Sequence, residues 1–369
     1  MKLKISLLLF CSAFSLFSLA FATDKVPAMS SNGAEKSNKD QLGPGKLEEM
    51  WNRAATITKI VASSVKISET AGGIIKSILS SGDLKIVYKD GEVGKRTDPQ
   101  TEADRSAQYC IVNSLQSRFK NLQIIGEEDN TSVSPHIETG YLSDVLKLDE
   151  RCAESLRNIK EEELVVWVDP LDGTSEVTQA VKNNNTALLQ QVTILIGIAH
   201  KGRPIAGVIH QPYYKENGRT IWAIQGCGVH GIKPAEAQQQ KIVVTTRSHL
   251  SDTVVEALTA LKEKGLADSV EKVGGAGFKV LKLLEGCSAY VFASAGCKKW
   301  DTCAVDAVLA AAGGTLTDIS GRSLLYHADV QKNNTGGVLA TAPWIKHQDY
   351  VSSIPENLKN QLPEFNPKR

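Results

Sequence analysis

Acidic residues follow two apolar segments of this chain, at the points where buried strands are expected to end. Residues 124–126 lead into the acidic residues 127–129, and residues 165–168 lead into Asp169 and Asp172. An ionised carboxylate in an apolar interior must be paired, protonated or bound to a cation, because its desolvation is otherwise costly. The pattern therefore predicts a fold that gathers these carboxylates around a divalent metal, and hard oxygen ligands favour Mg²⁺.

The segment after residue 168 holds the densest group of possible ligands. A Pro-Leu pair separates Asp169 from Asp172, so a tight turn after the strand would direct both carboxylates and the Leu171 carbonyl towards one volume. A D-P-x-D turn by itself is most often structural. Glu127 and Asp301 lie in other segments and would join this group only after folding. Two Mg²⁺ ions about 3.5–4 Å apart hold the attacking and leaving oxygens of a displacement at phosphorus, so the complete set indicates a phosphatase.

Asp104 and Thr174 are the candidate pair for activating water. The sequence from Thr101 to Asp104 is typical of a capped helix start, with an acid three residues after the cap. A hydroxyl with a carboxylate partner can take a proton from an attacking water. Thr174 also follows Gly173, where backbone N–H groups would meet a phosphate oxygen if a helix begins there.

Charge and cysteine content exclude several classes of protein. The chain has 42 Lys and Arg against 41 Asp and Glu, so it lacks the basic field of a general nucleic-acid binder. Six cysteines remain after the N-terminal segment, too few for a disulfide framework in a chain of 369 residues. We interpret Cys297 and Cys303 as packing residues. The histidines lack the spacing of a zinc site.

The N-terminus is typical of a secretory signal. Residues 1–22 combine two lysines, a long apolar run and a small-residue cleavage pattern. The alternative is a membrane anchor, because the run is just long enough to span a bilayer. Residues 23–44 are expected to form a flexible leader. N-x-[ST] triplets at Asn130, Asn184 and Asn333 could carry glycans if the chain enters the lumen.

Two folded regions are expected after the leader. Residues 45–235 are predicted to form an α+β domain that holds most metal ligands, beginning with an amphipathic helix over 47–65. Residues 236–355 are predicted to form an α/β domain, followed by a tail at 356–369. The polar stretch between 129 and 163 is either a lid or a solvated excursion. The predicted strands are 192–199, 205–209, 220–224, 242–245, 289–293 and 315–319, and the later helices are 250–264, 278–285 and 301–312.

Three motifs together resemble the signature of a known superfamily. Residues 126–129, 169–174 and 300–301 look like the signature motifs of the Mg²⁺-dependent, lithium-sensitive phosphatases that include inositol monophosphatase. Further segments narrow the resemblance to the 3'(2'),5'-bisphosphate nucleotidases. These segments are 165–174, 205–214, 245–249 and 290–303. The likeness extends from about Val61 to about Pro355.

The resemblance implies a fold, a reaction and a set of site residues. The fold would be a layered αβαβα sandwich of the inositol monophosphatase and fructose bisphosphatase type. The enzyme would remove the 3'-phosphate of adenosine 3',5'-bisphosphate, or of 3'-phosphoadenosine 5'-phosphosulfate, with two or three Mg²⁺ ions and with inhibition by Li⁺. Water would be activated by Asp104 and Thr174. The Mg²⁺ ligands would be Glu127, Asp169, the Leu171 carbonyl, Asp172 and Asp301. The nucleotide contacts would be Thr246, His249, Gly275 and Lys279.

Several alternatives stay open at this point. The substrate could instead be an inositol polyphosphate, and a secreted binding protein of the same fold would lack turnover altogether. Phe278 stands where the resemblance implies a small polar residue beside Lys279, which bears on the adenine side of the site. The nearest family members are cytoplasmic, whereas the N-terminus indicates the secretory pathway. A small phosphorylated molecule is the expected partner, with no stable membrane partner if the signal is cleaved.

Overall fold

The computed structural model describes residues 43–82, 85–88, 99–128 and 136–363. The helices are α1 (Pro44–Arg53), α2 (Thr56–Ser81), α3 (Glu102–Arg118), α4 (Ser143–Leu146), α5 (Glu154–Arg157), α6 (Thr174–Asn183), α7 (Asp252–Glu263), α8 (Ala276–Leu284), α9 (Lys299–Ala311), α10 (His347–Ser353) and α11 (Glu356–Gln361). The strands are β1 (Val87–Tyr88), β2 (Pro99–Gln100), β3 (Gln123–Gly126), β4 (Leu164–Asp172), β5 (Thr193–His200), β6 (Arg203–Gln211), β7 (Arg219–Ile224), β8 (Gly228–His230), β9 (Ile242–Thr246), β10 (Ser269–Val273), β11 (Ala289–Phe292), β12 (Thr315–Thr317) and β13 (Val338–Thr341). The predicted signal at 1–22, Asp129 and Asn130 lie outside the described residues. None of the helices in the described ranges is both long and apolar enough to cross a membrane.

The amphipathic pattern near the N-terminus forms two helices where one was predicted. Helix α1 ends at Arg53 and α2 begins at Thr56. At the break, the backbone N–H of Ala55 finds a hydrogen-bond partner, because it donates to Asp149 Oδ1 at 2.9 Å. Apolar residues of α2 at spacings of three and four are buried, and each such side chain contributes roughly 1.5–3 kcal/mol relative to exposure. The helix stops at Gly82, whose φ of 76° suits a residue without Cβ.

The first large sheet has six strands in the order β3-β4-β5-β6-β7-β8. Strands β3 and β4 are parallel, and the remaining neighbours are antiparallel. Helices α2 and α3 pack together against this sheet. The parallel register places Gly126 beside Val168, and Glu127 N–H donates to the Val168 carbonyl at 3.1 Å. Glu127, the first residue after β3, therefore lies beside Asp169 of β4.

Helix α9 packs on the first sheet at an unusually close approach. It contacts β4, β5, β6 and β7 and also reaches α8 and β12. Gly197 and Gly207 are paired across β5 and β6, and a Cβ on either residue would overlap the backbone of Ala304 in α9. Glycine at both positions lets the helix lie directly on the strands, which brings its N-terminal turn to the edge of the sheet.

The second large sheet has five strands in the order β10-β9-β11-β13-β12. Strands β10, β9 and β11 are parallel, whereas β13 is antiparallel to both β11 and β12. Helices α8 and α9 contact each other and lie between the two sheets, while α7 and α10 pack on the second sheet and on each other. Helices and sheets thus alternate in five layers, and the predicted layered αβαβα sandwich is confirmed.

Several elements escaped prediction for lack of a clear apolar pattern. Strand β10 reads Ser-Val-Glu-Lys-Val and is mostly half-buried at the edge of its sheet, so its sequence resembles a solvated loop. Strand β13 is a four-residue run, β8 has three residues, and α10 and α11 have seven and six. Short elements carry little periodicity, and their positions depend on pairing with distant segments.

The described part of the polar stretch before β4 is neither a lid nor a solvated excursion. The N–H of Leu142 donates to the Ala62 carbonyl at 2.9 Å, and Val145 and Leu146 are buried against α2. The six cysteines expected in the mature chain all fall in the described ranges as buried free thiols. The two large sheets lie on either side of residue 235 in the sequence, and the domain boundary there stays a prediction.

Asp306 in α9 gives the fold a pH dependence that can be isolated. Its side chain is buried, and its carboxylate accepts a hydrogen bond from Tyr326 Oη at 3.0 Å. Burial raises the pKa of Asp306 to about 7, whereas an unfolded chain keeps a pKa near 3.9. The native state therefore favours the protonated acid. The resulting stabilisation is complete below the unfolded pKa and is lost as the pH rises through about 7.

Asp306→Asn should remove this dependence, because its side chain is neutral at every pH. The free energy of unfolding of the wild type, relative to that of the variant, is expected to fall by up to about 4 kcal/mol between about pH 4 and about pH 8. Urea denaturation of both proteins at several pH values measures the difference. A difference that does not change with pH would contradict the assignment.

Candidate active site

One cavity of about 1410 Å³ opens where β4, the start of α6, the start of α8 and the start of α9 meet. The residues predicted from sequence that line it are Glu127, Asp169, Leu171, Asp172, Thr174, Thr246, His249, Gly275, Lys279 and Asp301. Asp104 reaches the cavity through its hydrogen bond to Thr174. Folding thus brings together side chains from both large sheets.

The two aspartates of β4 are separated by a bulge, where the sequence suggested a turn after the strand. Strand β4 continues to Asp172, and its register against β5 shifts between Asp169, which pairs with Leu195, and Asp172, which pairs with Thr193. Three steps along β4 oppose two steps along β5. A bulge re-aims side chains that would otherwise alternate between the faces of the sheet. Both aspartates consequently line the same cavity.

The carboxylates in the cavity repel one another. Burial raises the pKa of Asp169 well above its usual range, and the charges of Glu127, Asp172 and Asp301 raise it further. Burial also raises the pKa of Asp301 to about 7, with Glu127 as the main charged contributor. Glu128, the other described acid of that motif, lies towards α3 instead, where its N–H donates to Gln108 Oε1 at 2.8 Å. The cluster carries negative charge that a bound cation would neutralise.

The donor set of this cluster fits Mg²⁺. Four carboxylates and the Leu171 carbonyl supply oxygen ligands, which hard divalent cations prefer over nitrogen and sulfur. Within the described ranges, no three His, Cys, Asp or Glu side chains are already close enough to hold one ion together. The four carboxylates therefore line one cavity, but no three of them are close enough to bind the same ion. The fit rests on the chemistry of the donors and on their shared charge.

Thr174 and Asp104 form a hydrogen-bonded pair at the wall of the cavity. Gly173, with a φ of 104°, precedes α6, so Thr174 is the first residue of that helix. Thr174 Oγ1 lies 2.9 Å from Asp104 Oδ1 and 3.1 Å from the Leu171 carbonyl oxygen. Asp104 Oδ2 accepts from the backbone N–H of Thr101 at 2.8 Å, in the capping arrangement predicted for α3. Both carboxylate oxygens of Asp104 are thereby oriented.

Burial raises the pKa of Asp104 to about 6, and the nearby charge of Glu127 contributes to this rise. A carboxylate with this pKa is largely ionised at neutral pH, yet it is a stronger base than an exposed aspartate. Asp104 can therefore take a proton through the Thr174 hydroxyl. The same hydroxyl faces the acidic cluster through its contact with the Leu171 carbonyl.

Asp172 has a second task that the sequence did not reveal. Its Oδ1 accepts from Ala276 N–H at 2.7 Å, and its Oδ2 accepts from Gly277 N–H at 2.7 Å and from Thr193 Oγ1 at 2.6 Å. These N–H groups open α8, and a carboxylate at a helix N-terminus is stabilised by both hydrogen bonds and the helix dipole. Asp172 thus ties the acidic cluster to the start of α8.

Gly275 lets α8 approach Asp172 this closely. Its φ is 60°, and a Cβ there would lie 2.7 Å from the Gln191 carbonyl oxygen and 2.8 Å from Asp172 Oδ2. We expect Gly275→Ala to lower the free energy of unfolding by about 1–3 kcal/mol, because it combines backbone strain with overlap. Gly265→Ala is the matched control, with a φ of 67° and nothing within 4 Å of the added Cβ. Urea denaturation compares the two variants. Equal losses would show that overlap at Gly275 contributes nothing.

Lys279 supplies positive charge beside the acidic cluster, where it acts on Asp172. It is almost fully buried, and its Nζ donates to the Gly275 carbonyl at 2.8 Å. Burial lowers the pKa of Lys279, while the charges of Asp172 and Glu176 favour its protonated form. Its neighbour Phe278 packs against the hydrophobic core. The departure noted in the sequence therefore concerns packing.

Thr246 is the last residue of β9, and His249 lies on the turn that follows. The N–H of His249 donates to Thr246 Oγ1 at 3.1 Å, which closes the turn. Several other residues that line the cavity were not predicted from the sequence, among them Glu176, Arg247 and Lys298. Arg247 lies inside segment 245–249, which carries part of the family resemblance. Its contacts across the cavity wall could not be predicted from that segment.

Comparison with known proteins identifies the family. The inositol monophosphatase family model matches residues 57–359 of the chain. The 3'(2'),5'-bisphosphate nucleotidase 1 of Homo sapiens is 46% identical over 326 residues, which cover 85% of this chain and 99% of the human protein. The protein of the same name from Dictyostelium discoideum is 35% identical over 331 residues, which cover 84% of this chain and 100% of that protein.

Solved structures agree with this assignment at the level of the fold. CysQ from Bacteroides thetaiotaomicron, a bacterial member of the inositol monophosphatase family, has a TM-score of 0.55 at 21% identity, and the match covers 79% of this chain and 99% of CysQ. The extragenic suppressor protein suhB from Bartonella henselae has a TM-score of 0.56 at 18% identity, covering 82% and 99% of the two chains. From the matched residues and the extent of these similarities, the chain belongs to the inositol monophosphatase family.

Proposed function

We propose that this protein is a Mg²⁺-dependent phosphomonoesterase that removes the 3'-phosphate from adenosine 3',5'-bisphosphate. The observation that carries the proposal is the cavity itself, which joins an oxygen-rich acidic cluster to the Thr174–Asp104 pair and to the positive charge of Lys279. Relatives that match this chain over more than four fifths of its length bear the name 3'(2'),5'-bisphosphate nucleotidase. The products would be AMP and phosphate.

Metal ions would be held by Glu127, Asp169, the Leu171 carbonyl, Asp172 and Asp301. When bound, Mg²⁺ supplies charge neutralisation for the phosphate and lowers the pKa of water. The protein supplies the proton path. Water attacks phosphorus, the bond between phosphorus and the 3' oxygen breaks, and the proton of the water passes through Thr174 Oγ1 to Asp104. The 3' oxygen takes up a proton from solvent and leaves as the ribose 3'-hydroxyl. Because water attacks phosphorus directly, no covalent phosphoenzyme is formed.

The cation and the polar groups beside the acidic cluster suit the nucleotide part of the substrate. Lys279 is a buried cation in reach of the Gly275 carbonyl, and a substrate with two phosphates needs positive charge beyond the metal cluster. Thr246 and His249 present hydroxyl and imidazole groups from the turn after β9. These four residues would contact AMP, and 3'-phosphoadenosine 5'-phosphosulfate would occupy the same site.

Substrate preference tests the proposal directly. Phosphate release by the purified protein is measured from adenosine 3',5'-bisphosphate and from inositol 1,4-bisphosphate, with Mg²⁺ and with EDTA. We expect Mg²⁺-dependent release from the nucleotide at the higher kcat/KM. Preference for the inositol compound would keep the metal chemistry but overturn the assignment of Thr246, His249 and Lys279. Absence of release from both would favour a binding protein without turnover.

Inhibition by Li⁺ is a further part of the proposal, because the signature motifs resemble those of lithium-sensitive phosphatases. Initial rates at limiting Mg²⁺ are expected to fall when millimolar Li⁺ is added. An equal concentration of K⁺ is the control for ionic strength. An unchanged rate with Li⁺ would separate this chain from the lithium-sensitive members of its family.

We also propose that residues 1–22 direct the chain into the secretory pathway and are then removed. The support is the basic, apolar and small-residue pattern of the segment. N-terminal sequencing of the protein recovered from a secreting cell should then begin at Thr23. A chain that keeps its first residues and stays in the cytoplasm would match the alternative location.

A further inference from the structure

Glu176 and Arg247 form an ion pair in the wall of the cavity that none of the roles above uses. Arg247 Nη2 lies 2.7 Å from Glu176 Oε1, and the Glu176 side chain is only 2% exposed. A second guanidinium nitrogen, Nη1, donates to Gln179 Oε1 at 2.9 Å. The guanidinium thus bridges two residues of α6, and all three side chains line the cavity.

The pair connects two segments that line the cavity, helix α6 and the residues that follow β9. Glu176 lies in the first turn of α6, two residues after Thr174, whose hydroxyl belongs to the proposed proton path. Arg247 directly follows Thr246 and precedes the turn that His249 closes. The backbone of Arg247 is itself fixed, because its N–H donates to the Val273 carbonyl at 3.1 Å. A link from α6 to the turn after β9 therefore joins the helix that carries Thr174 to the segment that carries Thr246 and His249.

Glu176 also lies against the loop that supplies the remaining nucleotide contacts. A Cβ on Gly274 would overlap the Glu176 carboxylate, so glycine lets the loop lie directly on it. The same Gly274 donates its N–H to Gln191 Oε1 at 2.6 Å, and Gly275 follows. The charge of Glu176 favours protonated Lys279. One carboxylate thereby touches or influences every segment that we assign to the nucleotide.

Stability alone is a weak reason for such a pair. A buried ion pair is often no more stabilising than apolar residues of the same size, since desolvation offsets the attraction. The planar, forked guanidinium of Arg247 does fix the relative placement of the segments that the ion pair joins. We propose that Glu176 and Arg247 are positioning residues that set the spacing between the phosphate-cleaving residues and Thr246 and His249, and so select nucleotide bisphosphates. This inference rests on the function proposed above.

The experiment compares Arg247→Met, Glu176→Gln and the double variant with the wild type. Measurements are kcat and KM for adenosine 3',5'-bisphosphate, the inhibition constant of AMP, and the Mg²⁺ concentration for half-maximal rate. We expect KM and the AMP inhibition constant to rise about tenfold, while kcat and the Mg²⁺ requirement stay within about threefold, because the metal cluster is untouched. The double variant should lose no more than either single variant, since the two residues act as one unit.

Arg322→Met is the matched control. It removes a pair of similar exposure, Arg322 with Asp318 at 2.7 Å, whose residues do not line the cavity. Its KM and AMP inhibition constant should equal those of the wild type. If Arg247→Met folds poorly, Gln179→Ala removes one hydrogen bond from the same guanidinium and should raise KM by a smaller factor.

Three results would overturn the inference. The first is an unchanged KM and AMP inhibition constant in both single variants of a wild type that does cleave the nucleotide, which would leave the proposed function standing. The second is a parallel loss of kcat and of Mg²⁺ affinity, which would indicate a general structural role. A wild type that does not cleave adenosine 3',5'-bisphosphate would overturn the proposed function and this inference together.

Discussion

Asp169→Asn is expected to lower Mg²⁺-dependent phosphate release by at least about 1000-fold, or about 4 kcal/mol in the activation free energy. Asp169 is almost fully buried in the acidic cluster, and the charges of Glu127, Asp172 and Asp301 all act on it. An amide of the same shape removes one negative charge and one strong ligand oxygen. The loss should appear in kcat and in the Mg²⁺ requirement at the same time.

The stability of Asp169→Asn should behave in the opposite way. Without Mg²⁺ the variant is expected to unfold at a temperature equal to or above that of the wild type, because the mutual repulsion of the carboxylates is relieved. Mg²⁺ should raise the unfolding temperature of the wild type and have little effect on the variant. Calorimetry with and without Mg²⁺ tests both points. A variant that Mg²⁺ stabilises as much as the wild type would remove Asp169 from the ligand set.

Asp306→Asn is the matched control for this experiment. Asp306 is also a buried aspartate with a pKa raised to about 7, but its carboxylate accepts from Tyr326 Oη and does not line the cavity. Its amide variant should keep the wild-type rate and the wild-type response to Mg²⁺. A loss of rate in this variant as large as that of Asp169→Asn would mean that burial of charge in general, rather than the cluster, explains the effect.

Thr174→Val and Asp104→Asn are each expected to lower kcat by about 100-fold to 10,000-fold, the range in which general acid–base groups contribute. Thr174→Val removes the 2.9 Å hydrogen bond between Thr174 Oγ1 and Asp104 Oδ1, Asp104→Asn removes the carboxylate that would take the proton, and both leave the carboxylates of the cluster in place. The Mg²⁺ concentration for half-maximal rate should therefore change by less than about threefold. The double variant should be no slower than the worse single variant, because the pair transfers one proton.

Thr178→Val controls for the change from threonine to valine in the same helix. Its hydroxyl donates within α6, to the Ser175 carbonyl at 3.0 Å, and has no place in the proposed proton path. Rates close to those of the wild type are expected. If Thr174→Val reduced kcat no more than Thr178→Val does, water would be activated without the Thr174–Asp104 pair.

Much of the architecture was predictable because its signals are local. The helix that begins after Thr101 and the strand that contains residues 165–168 follow from capping and apolar runs in adjacent residues. Buried carboxylates after apolar strands also have few physical outcomes, so that a cation site follows from the residue types. The prediction failed where signals are weak, as in the edge strand β10, whose half-buried residues alternate without a clear apolar face.

The roles of single atoms depended on distant partners. The turn expected after Asp169 is a bulge inside β4, since pairing with Leu195 and Thr193 on β5 shifts the register there. Asp172 holds the N-terminus of α8 more than a hundred residues away, which no local pattern encodes. Arg247 was visible in a quoted segment, yet its partner Glu176 lies 71 residues before it.

By itself, the sequence determined which carboxylates would gather at one place, and all four of them line one cavity, because side-chain type and burial already limit what a carboxylate can do. Only the tertiary structure decided how the two sheets share α9, where Asp172 and Gly275 meet, and which ion pair joins α6 to the segment after β9. Those features are contacts between segments far apart in the chain. Their geometry is set by the packing of whole layers, which no short stretch of sequence specifies.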